Sequence, residues 1–133
     1  MILLDASALL AHLVGEPRGR GVSALLASGG LGMATANLAE TIDVLCRRVD
    51  RERAHEAVAP LIDGPIAQLV ALDAARAWRL GELRARHYHR ARRPVSLADC
   101  ALLACVDSGD SIATFDADVI AMARDEAIDV IDL

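Results

Sequence analysis

The strongest constraint on the fold is an alternation along the chain. Short apolar runs are separated by longer segments in which apolar residues recur at helical spacing. Apolar runs bounded by turn residues are typical of strands buried in parallel sheets. Parallel strands need long crossover connections, which are usually helices, so the alternation predicts an α/β fold. We expect a three-layer sandwich in which a parallel sheet of about four to five short strands carries helices on both faces.

The 133 residues fit a single domain, spanning residues 1–133. The predicted strands are residues 1–5, 31–34, 66–72, 112–115 and 129–133. The predicted helices are residues 6–14, 20–27, 35–49 (with Asn37 as the alternative start), 50–62, 74–91, 97–106 and 117–126, with Pro94 expected to stop the fifth.

Composition limits the cellular setting and the chemistry. The chain has no apolar run long enough to span a membrane and no basic leader segment, so we expect a cytoplasmic protein that does not contact membranes. The three cysteines lie in helical patterns without C-x-x-C spacing and are expected to be reduced core thiols. All fourteen basic residues are arginine, which excludes mechanisms that need a lysine.

Two predicted strands end at an aspartate. Asp5 follows the first apolar run and Asp116 follows the fourth strand, so both acids leave the same edge of the sheet. Ligands of parallel sheets bind at this carboxyl edge. Each aspartate also fits a simpler role as the N-cap of the following helix. At this point both interpretations remain open.

Two further acids belong to the same edge. Asp99 is, with Ser96, one of two residues that are not apolar between Val95 and Val106, and an unpaired buried charge is costly. Glu40 lies about one turn into the helix that follows the second strand. The alternative interpretations are a capping arrangement of Ser96 with Asp99, and for Glu40 a capping box with Asn37 or a solvated helix face.

Four carboxylates in one crevice would repel one another unless cations or raised pKa values relieve the repulsion. Oxygen ligands without histidine or cysteine favour Mg²⁺ or Mn²⁺ over zinc. Such a site suits hydrolysis of a phosphodiester bond by a metal-activated water.

These segments together resemble a known family. The stretches MILLDASALL (1–10), TANLAE (35–40), VSLADCALLA (95–104) and ATFD (113–116) are similar to the PIN domain of VapC-type ribonuclease toxins from bacterial toxin–antitoxin pairs. The resemblance covers nearly the whole chain and implies a PIN-like sandwich. It also implies a Mg²⁺- or Mn²⁺-dependent endoribonuclease whose catalytic acids are Asp5, Glu40, Asp99 and Asp116.

Within this resemblance, Asp5, Asp99 and Asp116 are the expected metal ligands. Ser7 and Thr114 look like the small hydroxyl residues that accompany two of the acids, and Asp118 is a possible extra ligand. The resemblance further implies an RNA substrate, a cognate VapB-type antitoxin, and a homodimer or a toxin–antitoxin hetero-oligomer. The alternative is a PIN-like module that binds RNA or protein without catalysis.

A net charge of −5 argues against nucleic-acid binding by the chain as a whole, but one segment is strongly basic. Its arginines are expected to bind RNA, or alternatively to form a solvated helix face. They are Arg76, Arg79, Arg84, Arg86, Arg90, Arg92 and Arg93. Other acidic-site families fit less well. A receiver domain needs a late lysine, and this chain has none. A haloacid-dehalogenase-type phosphatase needs a second acid at position 7, where this chain has serine. The G-x-G-x-x-A pattern at residues 19–24 does not follow a strand, which argues against a dinucleotide-binding site.

Overall fold

The computed structural model describes residues 1–133, in which strands and helices alternate along the chain. The strands are β1 (Ile2–Leu4), β2 (Leu31–Ala34), β3 (Ile66–Val70), β4 (Ser111–Ala113) and β5 (Asp129–Val130). The helices are α1 (Ala6–Leu13), α2 (Gly19–Ser28), α3 (Thr35–Arg48), α4 (Arg51–Ile62), α5 (Ala74–His87), α6 (Leu97–Ala104) and α7 (Ala117–Asp125). All strand pairs are parallel, in the order β3-β2-β1-β4-β5. The predicted α/β fold is therefore confirmed, and most predicted element ends differ from the observed ones by a few residues.

The sheet is covered on both faces because successive strand residues point in opposite directions. Leu3 of β1 packs into a cluster formed with α5, α6 and α7, where Leu102 is fully buried. Leu4 belongs to a second cluster on the other face with α1 and α2, where Leu9 is fully buried. Burying a leucine side chain contributes roughly 1.5–3 kcal/mol, so the two faces of this short strand anchor both helical layers.

The strand order creates a crevice at one edge of the sheet. From β1 the chain adds β2 and β3 on one side, and then β4 and β5 on the other. Ligands of open parallel sheets bind where the strand order reverses in this way, beyond the carboxyl ends of the strands. The main-chain N–H of Asp5 donates to the carbonyl of Ala113 at 3.0 Å, which brings the ends of β1 and β4 side by side.

The predicted helix over residues 74–91 is too long. Helix α5 ends at His87, and Tyr88 is extended with φ −67° and ψ 128°. His89 and Arg93 then close a turn through two main-chain hydrogen bonds of 2.9 Å. The Nδ1 atom of His89 also accepts from the N–H groups of Ala91 and Arg92. A side chain that competes for main-chain donors in this way ends the helix before Pro94 is reached.

The three cysteines are free thiols. Cys100 and Cys105 are buried free thiols, as expected, but Cys46 is exposed on α3, so the core assignment was wrong for that residue. None of the helices combines the length and the apolar character needed to cross a bilayer.

Candidate active site

Three of the predicted acids meet at the crevice between β1 and β4. Carboxylate oxygens of Asp5, Glu40 and Asp99 all lie within 4.8 Å of one another. Asp5 follows β1 directly, Glu40 lies on α3 after β2, and Asp99 lies in the first turn of α6. Residues separated by up to 94 positions are thus brought to one point by the sheet edge and by the packing of α3 against α6.

Asp5 is the most tightly held of the three. Its side chain is 2% exposed. The hydroxyls of Ser7 and Thr114 donate to its Oδ2 at 2.6 and 2.7 Å. Ser7 Oγ accepts the N–H of Phe115, and Thr114 Oγ1 accepts the N–H of Asp116. Both hydroxyl protons are directed to Asp5, because a carboxylate oxygen can only accept, and the hydroxyl oxygens remain free to accept from the chain that follows β4. Both predicted hydroxyl partners therefore contact the same acid.

Asp99 both caps its helix and faces the site. The Ser96 hydroxyl accepts the N–H of Asp99 at 3.0 Å, while Asp99 Oδ2 accepts the N–H of Ser96 at 2.6 Å. This reciprocal capping box is the arrangement given above as the alternative. Burial raises the pKa of Asp99, the two hydrogen bonds with Ser96 oppose that rise, and the charges of Asp5 and Asp116 add to it.

Glu40 has the most perturbed pKa of the site. Burial, followed by the charges of Asp99 and Asp5, raises the pKa of Glu40 from its ordinary 4.5 to about 7. Repulsion between carboxylates in a partly dry crevice favours proton uptake by the acid that is least stabilised by donors. Strongly perturbed acids in a cleft are characteristic of functional sites.

Asp116 and Asp118 lie at the edge of this group. Asp116 is solvent-exposed and caps α7, with its Oδ1 accepting the N–H groups of Asp118 and Val119. Its charge still contributes to the raised pKa values of Glu40 and Asp99. Asp118 sits in the first turn of α7, outside the convergent carboxylates. The closest group of acids is therefore Asp5, Glu40 and Asp99, whereas the sequence predicted Asp116 in place of Glu40 among the metal ligands.

Sequence reasoning missed the role of Asn37. The capping box with Glu40 was wrong, since α3 begins at Thr35 with Ala34 as N-cap and no side-chain cap. Asn37 is instead completely buried, and its Nδ2 donates to Asp5 Oδ1 at 3.0 Å. The available signal was helical spacing, because Asn37, Glu40 and Thr41 lie on one face of the helix.

Most of the arginines in the basic segment are engaged inside the molecule. Arg76 pairs with Asp73 and Asp107, Arg79 donates to the carbonyl of Val106, Arg84 stacks on Tyr88, Arg86 pairs with Glu126, and Arg93 pairs with Asp125. The side chains of Arg90 and Arg92 are exposed and make no ion pair or hydrogen bond. Of the seven arginines of the segment, these two are the ones with neither an ion pair, a hydrogen bond nor an aromatic partner for the side chain.

The donor set fits a hard divalent cation. Three carboxylates at this separation can each supply an oxygen, and no histidine or cysteine belongs to the group. Mg²⁺ and Mn²⁺ prefer such oxygen ligands, and their positive charge would offset both the burial and the repulsion that raise the pKa of Glu40. These residues could therefore hold one such ion.

Solved structures share this fold. The Mycobacterium tuberculosis toxin VapC20, described as a sarcin–ricin loop cleaving toxin, is 24% identical, with a TM-score of 0.75 over 91% of this chain and 94% of that chain. A chain of the DNA-bound VapBC from Salmonella typhimurium is 21% identical, with a TM-score of 0.74 over 98% and 96%. A chain of VapBC2 from Rickettsia felis, bound to a fragment of its promoter, is 14% identical, with a TM-score of 0.70 over 98% of each.

No curated protein matches the chain in sequence. The model of one family, described as the PIN domain, does match, and it covers residues 2–125. That match includes every strand except β5, all seven helices and all four predicted catalytic acids. The chain therefore belongs to the PIN domain family.

Proposed function

We propose that this protein is a Mg²⁺- or Mn²⁺-dependent endoribonuclease and the toxin of a VapC-type toxin–antitoxin pair. The observation that carries the proposal is the convergence of Asp5, Glu40 and Asp99 within 4.8 Å at the switch point of a PIN-domain sheet. Placing three carboxylates so close destabilises the metal-free fold, and a bound cation removes that cost. The structural likeness to VapC20 at a TM-score of 0.75 supports the same assignment.

Asp5, Glu40 and Asp99 would hold the ion through one oxygen each. Asp116 is exposed and commits Oδ1 to α7, so its Oδ2 would be free to contact the ion or a second one. When bound, the metal supplies an activated water and charge stabilisation for the departing oxygen of a phosphodiester. The hydroxyls of Ser7 and Thr114 orient Asp5 and keep it in place during that chemistry.

RNA is the proposed substrate. An acidic site repels phosphates, so a nuclease needs positive charge nearby to bind them. In this chain Arg90 and Arg92 are the members of the basic segment that are free to do so. They lie in the turn that leads from α5 to α6, the helix that carries Asp99.

The proposed partner is a VapB-type antitoxin, with the toxin itself forming a homodimer or a toxin–antitoxin hetero-oligomer. Support comes from the VapBC complexes among the solved structures that share the fold. An antitoxin that inhibits by occupying the crevice should lower cleavage in proportion to the amount added. Full activity in the saturated complex would exclude that mode of inhibition.

The experiment is an RNA cleavage assay with purified protein, in Mg²⁺ or Mn²⁺ and with excess chelator. Asp5→Asn tests the site, and Asp43→Asn is the matched control, because Asp43 is an exposed acid one turn along α3 from Glu40. We expect cleavage by the wild type and by Asp43→Asn, and none by Asp5→Asn or in chelator.

Cleavage that survives in Asp5→Asn would come from a contaminating nuclease and would remove the basis of the proposal. A wild-type protein that binds RNA without cutting it in either metal would instead support the alternative, a PIN-like module without catalysis.

A further inference from the structure

Asn37 is a buried amide placed beside the acidic crevice. Its side chain is completely inaccessible to solvent, and it lies on the face of α3 that also presents Glu40. Its Nδ2 donates to Asp5 Oδ1 at 3.0 Å. A side chain that links α3 to the end of β1 connects two of the elements that supply the convergent acids.

The orientation of this amide is fixed by its partner. A carboxylate oxygen accepts from the NH₂ group of an asparagine and not from its carbonyl oxygen, so the nitrogen must face Asp5. The Oδ1 atom of Asn37 then faces away, and it is buried without a hydrogen-bond partner. The buried hydroxyl of Thr41, on the same face, donates to the main-chain carbonyl of Asn37 at 2.9 Å and leaves the side-chain oxygen unpaired.

An unpaired buried oxygen destabilises a fold. An apolar side chain of the same branching would fill this position without that cost. The bond to Asp5 is therefore the feature of Asn37 that packing alone does not explain.

The acceptor positions of Asp5 show what this bond achieves. A carboxylate has about four lone-pair positions, two on each oxygen. Oδ2 accepts from the hydroxyls of Ser7 and Thr114, with a longer contact of 3.4 Å from the Ser7 N–H. Oδ1 accepts from Asn37 alone. One position is therefore left, and it is on Oδ1.

We propose that Asn37 is a positioning residue that makes Asp5 a ligand through a single oxygen, Oδ1, toward the space shared with Glu40 and Asp99. The inference rests on the metal site of the proposed function. Donors on both oxygens prevent the carboxylate of Asp5 from turning to offer both of them to one ion. A fixed single-oxygen ligand suits Mg²⁺, which demands near-ideal octahedral geometry, whereas Ca²⁺ accepts carboxylates through one oxygen or two.

The test compares Asn37→Leu with the wild type, using calorimetric titrations with Mg²⁺, Mn²⁺ and Ca²⁺. Leucine keeps the branching of asparagine and removes the donor. Loss of a hydrogen-bond partner behind a metal ligand typically weakens affinity about 10–100-fold, and we expect this for Mg²⁺ and Mn²⁺. Affinity for Ca²⁺ should fall less, so the ratio of Mg²⁺ to Ca²⁺ affinity should drop by about tenfold. A variant that is only partly folded would lose affinity for all three ions equally.

Thr41→Val is the matched control, since Thr41 is equally buried, one helical turn away, and does not touch Asp5. It should bind all three ions like the wild type. If Asn37→Leu gives no cooperative melting curve in chelator, Asn37→Ala, which adds no bulk, replaces it with the same expectation. Wild-type affinities and an unchanged Mg²⁺ to Ca²⁺ ratio in the folded variant would overturn the inference and leave the proposed function intact. Absence of Mg²⁺ and Mn²⁺ binding by the wild type would instead overturn the metal site itself.

Discussion

Replacing Glu40 by glutamine should stabilise the metal-free protein above neutral pH and change it little in mild acid. Burial and the neighbouring carboxylates raise the pKa of Glu40 from 4.5 in the unfolded chain to about 7. Below pH 4.5 the carboxyl group of Glu40 is protonated in both the folded and the unfolded state, so it does not change the free energy of unfolding. Between the two values only the unfolded state loses the proton, so stability falls as pH rises. Above about pH 7 Glu40 is ionised in both states, and the loss of stability is complete.

The size of the effect follows from the same shift. One pKa unit corresponds to about 1.4 kcal/mol, so the rise from 4.5 to about 7 sets a ceiling of roughly 3 kcal/mol. Glu40 is only half-buried, and solvent screens part of the repulsion, so about 1–2 kcal/mol is the realistic range. For a domain of this size that is a rise in melting temperature of roughly 3–10 °C.

The assay is thermal unfolding in chelator at several pH values between about 5 and 8, for the wild type, Glu40→Gln and Asp43→Asn. The gain in melting temperature from Glu40→Gln should grow across this window. Asp43→Asn should give a much smaller gain, because the charge of Asp43 is the smallest contributor to the raised pKa of Glu40. Saturating Mn²⁺ should reverse the order, since a ligand of the native state stabilises the protein that binds it. A gain in melting temperature that is the same at both ends of the window would refute the claim that burial and the neighbouring carboxylates raise the pKa of Glu40.

Two further predictions concern charges outside the crevice. Hydrogen bonds from His87 and Arg86 hold the pKa of Glu126 below its ordinary value, so its contribution is present above about pH 4.5 and lost as pH falls through the lowered pKa. Glu126→Gln should therefore destabilise the protein by about 1–2 kcal/mol near neutral pH, measured by urea unfolding, and a penalty that persists near pH 3 would contradict this. Replacing Arg90 and Arg92 by glutamine should weaken RNA binding by a cleavage-deficient protein and reduce the slope of log affinity against log salt by roughly 1.4, measured by fluorescence anisotropy. An unchanged slope would assign these arginines to solubility.

The fold and the position of the acids could be predicted because their signals are local. An apolar run that ends in an acid is visible within a few residues at Asp5 and Asp116, and parallel strands bring such ends to one edge. Asp99 stood out because it interrupts an apolar helix. These signals depend on residues that are neighbours in the sequence, so they can be recognised without knowing the tertiary contacts.

The side-chain pairings could not be predicted because their partners are distant in sequence. Asn37 contacts Asp5 across 32 positions, and the helical spacing that places Asn37 on the face of Glu40 does not identify Asp5 as its partner. The free charge of the basic segment was overestimated for the same reason, since Arg86 is paired by Glu126, 40 positions away. A charge count along a helix cannot tell a paired arginine from a free one.

The capping and the active-site interpretations of the acids turn out to be compatible, because a carboxylate has two oxygens. Asp116 commits Oδ1 to the start of α7, and Asp99 commits Oδ2 to the N–H of Ser96. In Asp5 the oxygen that caps α1 is Oδ2, and the other oxygen keeps one acceptor position. Each of these three acids thus uses one oxygen for its own helix, and in Asp5 and Asp99 the carboxylate also belongs to the group that converges with Glu40. Asparagine at position 99 or 116 would keep one acceptor oxygen for these N–H groups, so Asp99→Asn and Asp116→Asn keep the local hydrogen bonds and remove the charge. Loss of cation binding in such variants would therefore measure the site rather than the fold.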